Sequence, residues 1–537
     1  MTLLGSARSM AVGTVASRAT GFLRTAVLTA VLGVQSVGAA YTVANTAPNI
    51  VYELLLGGIL TSVVVPLLVR AAKESDDQGE AFANRLLTLV VLVLGATAVL
   101  LVVFAPQLVS LYSAGLDEDA QELAVLFARF FLPQVLFYGA GAVLGAILNT
   151  RGRFAPPMWA PVLNNVVVIA TGLAFLLLPG TNPLRAGTIT DAQVALLGIG
   201  TTLGIVAQTV ALLPSLKASG FRLRPRLGLR GSGLGQVGRL ARWVLLYVVA
   251  NQLAYVVVVR LATEDRLVEA GRGYPSYVAA FLLWQLPHAV VAVSVITALL
   301  PAMSRAAADD RLGDLRDHLD RGLRLTVAVL VPAAVAYVVL GRDLATVVFA
   351  HGETTVEQAR FIGVLLSVFA VGLTAFSTYQ LQLRAFYALQ DTRTPTLVNL
   401  GVNASLVAAD LALYAVLPDR LKVVGLAAGQ ALSFVVGLAV CTRVLTRQVP
   451  RAPQAHVVRT AVRCVVAALL PALAAALVVA TVGRLTDPGP LTSLAVLAVA
   501  GPVLVLGYAA AARRVRVPEV DEVAGPVLAR ISRRPRS

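Results

Sequence analysis

The sequence has few charged residues, few cysteines and almost no lysine. Only 13% of its 537 residues are charged, against about 25% in a typical soluble domain. Hydrophobic residues make up 58%, and the mean hydropathy is +0.80. Cys441 and Cys464 are too few for a disulfide framework or a metal site of their own, and we expect both to be inert. This composition excludes a soluble globular protein.

Several sequence motifs are also missing. The chain has no P-loop, no H-E-x-x-H and no G-x-S-x-G with partner residues. Primary ATP-driven pumping and soluble-type hydrolysis are therefore unsupported. We predict no catalytic residue, no metal centre and no cofactor.

Long apolar segments fill most of the chain instead. A membrane-spanning helix needs about 20 mainly apolar residues, and fourteen segments meet this criterion. They cover 10–33, 36–69, 86–112, 122–149, 157–178, 192–213, 244–261, 274–300, 325–340, 361–383, 396–417, 423–442, 460–482 and 491–511. The sequence thus predicts an all-α polytopic membrane protein.

The basic residues set the orientation, because cytoplasmic loops carry an excess of lysine and arginine. Fourteen spans place both termini on one side. Of the 44 basic residues, 32 lie in or next to the loops and tails of that side and eight lie in the opposite loops. We therefore predict a bacterial cell membrane protein with both termini cytoplasmic. The net charge of +16 reflects topology, and we expect no nucleic-acid partner.

An internal repeat divides the chain. The second predicted span ends Pro66-x-x-x-Arg70-Ala-Ala, and the eighth ends Pro301-x-x-x-Arg305-Ala-Ala, 235 residues later. Six spans per repeat give two lobes of parallel topology around a central cavity, an architecture typical of transporters. The predicted parts are an N-terminal lobe (1–214), a basic linker (215–243), a C-terminal lobe (244–446), two extra helices (447–512) and a basic tail (513–537).

The first span carries the clearest binding signal. Ser17, Arg18 and Arg24 share one helical face with other small polar residues. Ionisable groups inside a membrane face a cavity or a partner, and two guanidiniums suit a phosphate or diphosphate. The alternative is an ion pair between Arg24 and Glu53 of the second span.

Other polar residues within the spans are weaker candidates. Asn49 follows Pro48 where the second span is interrupted, and Arg260 either binds ligand or caps carbonyl groups at a membrane boundary. Gln285 shares a face of the eighth span with His288. Asp410 and Asn403 are candidates for a coupling-cation site, although seven residues separate them by about 10 Å along a helix.

Several motifs together resemble the MurJ (MviN) lipid II flippases. They are Ser17-Arg18-x-x-Gly21-Phe22-x-Arg24, Pro48-Asn49, Asn149-Thr-x-x-Arg153-Phe154-x-x-Pro157 and Gln390-Asp-Thr-Arg-Thr-Pro395. The resemblance covers nearly the whole chain. It implies the fold of multidrug/oligosaccharidyl-lipid/polysaccharide (MOP) exporters, a cationic cavity and a groove for a polyprenyl tail lined by the last two helices.

The resemblance also implies a substrate and its contacts. Undecaprenyl-diphosphate-linked peptidoglycan precursor would move from the inner to the outer leaflet, with Arg18 and Arg24 at the diphosphate and Ser17 beside them. The chain departs from the family where well-known members are charged. It has Ala39, Tyr52, Leu282 and Gln285 at such positions, so the rest of the diphosphate clamp and any salt-bridge gate are not predicted.

The expected function is therefore a transporter, acting as a monomer and driven by membrane potential or a coupled monovalent ion. One alternative is an exporter of another polyprenyl-linked saccharide or of drugs. The other is a membrane glycosyltransferase or ligase, which would need the outer carboxylates Asp117, Glu118 and Asp119.

Overall fold

The computed structural model describes residues 3–53, 79–113, 115–180, 183–227, 234–449 and 454–522, with positions 68, 71, 75 and 77. These ranges form helices and connecting segments, with no strand among them. The helices are α1 (Leu3–Leu32), α2 (Ser36–Tyr52), α3 (Glu80–Val103), α4 (Ala105–Ser113), α5 (Glu118–Phe131), α6 (Gln134–Thr150), α7 (Ala155–Phe175), α8 (Asp191–Val210), α9 (Leu212–Ala218), α10 (Leu234–Ala262), α11 (Asp265–Glu269), α12 (Tyr274–Pro287), α13 (Val293–Ala308), α14 (Leu312–Phe349), α15 (Val356–Ala388), α16 (Arg393–Val416), α17 (Lys422–Gln448), α18 (Gln454–Leu485) and α19 (Pro490–Arg514).

Thirteen helical segments in the described residues are long and apolar enough to span a membrane. Each overlaps one of the predicted spans. The remaining prediction, 36–69, begins in α2 and continues into residues 54–67, which lie outside the described ranges. The prediction of an all-α polytopic membrane protein is confirmed.

The described chain forms two compact units, Met1–Pro275 and Ser276–Ser537. In the first unit α1 packs along α7, α7 packs on α8, α2 packs on α5 and α3 packs on α6. Its core includes a cluster of apolar side chains from α3, α6 and α9: Leu86, Val143, Leu144, Ile147, Leu212 and Leu216.

Helix α10 belongs to the first unit, and its C-terminal end is hydrogen-bonded to α4 there. The Arg260 guanidinium donates to the Leu111 carbonyl at 3.0 Å, and the Thr263 hydroxyl donates to the Tyr112 carbonyl at 3.1 Å. The compact unit therefore extends past the predicted lobe boundary at 214. The five-part division of the chain stays a prediction.

The second unit is built around α14, which packs against α15, α18 and α19. Trp284 is fully buried and stacks on Phe434 with ring centroids 5.4 Å apart. Helix α14 is longer than the predicted span 325–340, because the charged residues before 325 continue the same helix. They extend it beyond the apolar part.

A short segment after α19 docks on α14. Val517 and Val520 are buried in a cluster with Val327 and Ala328. Glu519 is 5% exposed and pairs with Arg324. The end of the described chain is therefore held by both apolar and ionic contacts.

Candidate substrate-binding site

A buried asparagine fixes the orientation of α1. Asn165 on α7 donates to the Ser17 carbonyl at 3.2 Å and to the Thr20 hydroxyl at 3.0 Å. Gly21 faces the same contact, and a Cβ there would lie 3.5 Å from the Asn165 side-chain nitrogen, an ordinary van der Waals distance. The polar face of α1 is therefore partly occupied by α7, and the arginines flank this contact.

The two arginines of α1 differ in exposure. Arg18 is exposed, while Arg24 is half-buried. Arg24 lies in the neighbourhood of Tyr41 and Tyr138. Within the described part of the chain, neither guanidinium forms an ion pair, and Arg24 and Glu53 do not pair in this conformation. Both cations are therefore available to an anionic ligand.

Helices α2 and α6 complete a polar cluster around Arg24. The Tyr138 hydroxyl donates to the Asn49 side-chain oxygen at 3.5 Å, and the Tyr52 and Tyr138 rings lie 4.5 Å apart. Glu53 follows directly and is exposed. We call Arg24, Tyr41, Asn49, Tyr52 and Tyr138 the α1–α2–α6 cluster.

Tyr41 and Tyr138 are the cluster members that sequence reasoning missed. Tyrosines in apolar segments are usually expected at a membrane interface, so neither stood out. Tyr41 is 4% exposed and shares a 2.7 Å hydrogen bond with Thr201. A tyrosine near the middle of a predicted span, such as Tyr138, was the available signal.

Arg260 lies apart from this cluster. Its guanidinium donates to a backbone carbonyl of α4, as the capping interpretation predicts. This contact joins α10 to α4.

Gln285 belongs to the second unit and is half-buried near a break in the helical pattern. Pro287 is followed by a π-helical turn at His288–Ala292. The His288 ring nitrogen hydrogen-bonds the Ser377 hydroxyl at 2.9 Å and packs on Phe376. Turns of this kind occur frequently at functional sites.

The acidic candidate Asp410 is buried in α16. It is 0% exposed, and its two carboxylate oxygens have no hydrogen-bond partner among the described residues. A Cβ at Gly429 of α17 would lie 2.0 Å from one of them. Helix α16 is continuous from Arg393 to Val416, so Asn403, about 10 Å away along it, does not share a ligand with Asp410.

No group of three or more His, Cys, Asp or Glu side chains that could hold a metal ion occurs in the residues that the structure describes.

Comparison with known proteins decides the family. The family model described as "Lipid II flippase MurJ" matches residues 28–495. The chain belongs to the MurJ lipid II flippase family. The matched range begins just after Arg18 and Arg24, so these two residues rest on the motif and the geometry described above.

Curated relatives of the MurJ family agree over most of their length. "Probable lipid II flippase MurJ" of Vibrio cholerae is 27% identical over 472 residues, 83% of each chain. The protein of the same name from Rhizobium meliloti is 28% identical over 421 residues, 76% of this chain and 75% of its own. "Lipid II flippase MurJ" of Burkholderia cenocepacia is 27% identical over 412 residues, 75% of this chain and 76% of its own.

Solved structures agree on the fold. A lipid II flippase MurJ in an inward closed conformation matches with TM-score 0.74 at 19% identity, covering 94% of this chain and 99% of that one. An inward-facing MATE transporter of the MOP superfamily matches with TM-score 0.63 at 16% identity, covering 80% and 95%. The MOP-type fold is confirmed, and the protein is a multi-pass inner-membrane transporter, not an enzyme.

Proposed function

We propose that the protein moves lipid II from the inner to the outer leaflet by alternating access, with both termini cytoplasmic. The observation that carries the proposal is the pair of arginines on α1, neither of which is ion-paired within the described residues. Membership of the MurJ family supports the substrate. The same chemistry would serve another polyprenyl-diphosphate saccharide, which shares the charged group.

The cluster is suited to a diphosphate. Guanidinium groups bind phosphate oxygens through paired, charge-assisted hydrogen bonds. The Tyr138 hydroxyl donates a long hydrogen bond to Asn49, and it could donate to a phosphate oxygen instead. Unpaired charges inside a membrane are costly, so a ligand that neutralises Arg24 recovers part of that cost.

The energy source is part of the proposal. An anionic lipid that crosses outward is favoured by an inside-negative potential, by about 2.3 kcal/mol per charge per 100 mV. A monovalent ion would add to this through Asp410, whose carboxylate has no hydrogen-bond partner among the described residues. The first unit would then hold the lipid and the second the ion.

The acidic outer loop has a structural explanation, which disfavours an enzyme. The Asp117 side chain accepts a hydrogen bond from the Ala120 amide at 3.3 Å and caps α5. Partial burial and the nearby Asp265 raise the pKa of Asp117. Alanine at Asp117, Glu118 and Asp119 is expected to leave flipping intact.

Complementation tests the proposal. The wild-type chain is expected to support growth of cells depleted of their lipid II flippase, and Arg18→Ala or Arg24→Ala to fail at equal membrane abundance. Each lost hydrogen bond to a charged group costs about 1.5–3 kcal/mol, or roughly 10- to 150-fold in lipid affinity. Measured binding of lipid II to the purified variants should fall accordingly.

Arg129→Ala is the matched control. Arg129 lies on an exposed face of α5 and lines a different cavity with Glu118 and Glu122. It should complement like the wild type. Correct insertion of the wild type without rescue would contradict lipid II as substrate, and rescue by both α1 variants would remove the arginines from the mechanism.

A further inference from the structure

A cavity with two arginines in its lining lies in the second unit, where α14 ends and α15 begins. It has a volume of about 380 Å³ and is also lined by residues of α18 and α19. Its polar lining includes Arg342, Asp343, Arg360, Thr492 and Ser493. The distribution of basic residues predicts that this end of the unit faces outside.

The charge of this cavity is positive. Neither Arg342 nor Arg360 forms an ion pair within the described residues. Asp343 is the acidic residue in the lining, and its carboxylate accepts a 2.9 Å hydrogen bond from the Ser493 hydroxyl. The lining therefore contains two arginines and one carboxylate, and that carboxylate is hydrogen-bonded to Ser493 of the same lining.

A close helix crossing places the two arginines together. A Cβ at Gly363 would lie 2.4 Å from the Arg342 Cα, and one at Gly341 would lie 2.9 Å from the Gly363 carbonyl oxygen. Arg360 precedes Gly363 by three residues, about 4.5 Å along α15. Both side chains therefore start next to the same crossing.

The neighbouring surface faces lipid. Helices α18 and α19 expose large apolar side chains, including Leu477 (68%), Leu491 (82%) and Leu494 (52%). An exposed apolar surface on a membrane-spanning helix is covered by lipid tails. A ligand that reaches this cavity from the side of α18 and α19 is therefore anchored in the membrane.

We infer that this cavity binds the phosphate headgroup of a membrane lipid, with Arg342 and Arg360 as the donors. The Thr486 and Thr492 hydroxyls in the lining already donate to the Val482 and Asp487 carbonyls. The guanidiniums remain to supply the charge and the paired donors that a phosphate needs. The site is separate from the α1–α2–α6 cluster and does not depend on the identity of the transported lipid.

Native mass spectrometry with dioleoyl phosphatidic acid tests this inference on the full chain in detergent. Arg342→Gln with Arg360→Gln should weaken lipid binding by about tenfold or more relative to the wild type, because two charged hydrogen-bonding groups are lost. Lipid bound elsewhere is common to both proteins and cancels. Unchanged binding in the double variant would overturn the proposal.

Two controls separate the sources of the anion and the effect of charge. Arg484→Gln removes an exposed arginine of α18 that does not line the cavity, and binding should not change. Dioleoylglycerol, which lacks the phosphate, should not bind in its place. If inorganic phosphate competed with the lipid and bound with equal affinity, the cavity would be a site for free anions and not for lipid.

The single variant Arg342→Gln guards against misfolding. Arg342 is exposed, so its loss does not disturb the core. A reduced affinity in this variant, restored in part by Arg342→Lys, supports the site. Full affinity in both the single and the double variant would refute it.

Discussion

At the scale of single residues, burial separates the charged side chains by role. Arg18 and Arg24 lie on a partly exposed helix, whereas Asp410 is completely buried between α16 and α17. A buried carboxylate without a partner is costly. Buried ionisable groups of this kind are concentrated at functional sites, where the protein uses their ionisation or their binding of a ligand.

Replacement of Asp410 by asparagine is expected to separate stability from coupling. Asp410→Asn removes the cost of burying a carboxylate, so the melting temperature should stay equal or rise. If Asp410 carries the coupling ion, flipping in proteoliposomes should lose its dependence on a sodium or proton gradient. Asn403→Ala is the control, since Asn403 lies about two helical turns away, and it should keep that dependence. Unaltered ion dependence in Asp410→Asn would assign coupling elsewhere.

Sequence reasoning identified the arginines at this scale but not their surroundings. Arg18 and Arg24 were evident because charge is rare in a span. Asn165 and Tyr41 were not, because their roles depend on which helix packs against α1 and α2. Likewise, Arg342 and Arg360 are ordinary loop-flanking residues until the glycine crossing brings them together.

At the scale of elements, the ends of the helices are held by a few polar contacts. Asp391 precedes α16, and its carboxylate accepts from the Thr394 amide at 2.9 Å and from the Gln448 side chain at 3.2 Å. These contacts tie the start of α16 to the end of α17. Partial burial acts to raise the pKa of Asp391, but the hydrogen bonds from Thr394 and Gln448 outweigh it and leave the pKa below its usual value.

The Asp391 contact should depend on pH in a defined direction. Because its pKa is lowered by folding, its contribution is present above the unfolded value of about 3.9 and is lost as the pH falls through the lower folded value. Asp391→Ala should cost about 1 kcal/mol at pH 7. Thermal unfolding from pH 7 to pH 3 measures this. If the difference in unfolding stability between wild type and Asp391→Ala did not shrink towards pH 3, the prediction would be contradicted.

Element boundaries were predicted well where hydrophobicity ends abruptly and poorly where a helix continues into polar sequence. The predicted span 157–178 corresponds to α7, Ala155–Phe175. By contrast, 325–340 is the apolar part of α14, Leu312–Phe349, whose first three turns are amphipathic and lie beyond it. Hydropathy reports the membrane thickness and not the length of the helix.

At the scale of the whole molecule, the last described residues form a segment that docks on α14. Glu519 is buried against Arg324, which also donates to Asp320 at 2.8 Å. The predicted basic tail covers residues 513–537, of which 523–537 lie outside the described ranges. The sequence does not reveal the Glu519 contact, because its partner is 195 residues away and no local pattern records it.

Loss of the Glu519 carboxylate should loosen this end of the second unit. Glu519→Gln leaves Arg324 with one acidic partner, and we expect a loss of about 1–3 kcal/mol and a lower melting temperature. Asp521→Asn is the matched control, because its pair with Arg513 is exposed on both sides and such pairs contribute under about 1 kcal/mol. Equal melting temperatures for the two variants would show that apolar contacts alone hold the segment.

The π-helical turn at His288–Ala292 sets the rotation of α13 about its axis relative to α12. A π-turn accommodates one residue more than the α-helical turn it replaces, and one residue corresponds to 100° around a helix axis. If the turn relaxed into α-helix, α13 would rotate by about that angle relative to α12. Every side chain from Val293 to Ala308, including Arg305 near its C-terminal end, would then face a different neighbour. The one extra residue in this turn would thus convert a local change of backbone hydrogen bonding into a rotation of the whole of α13.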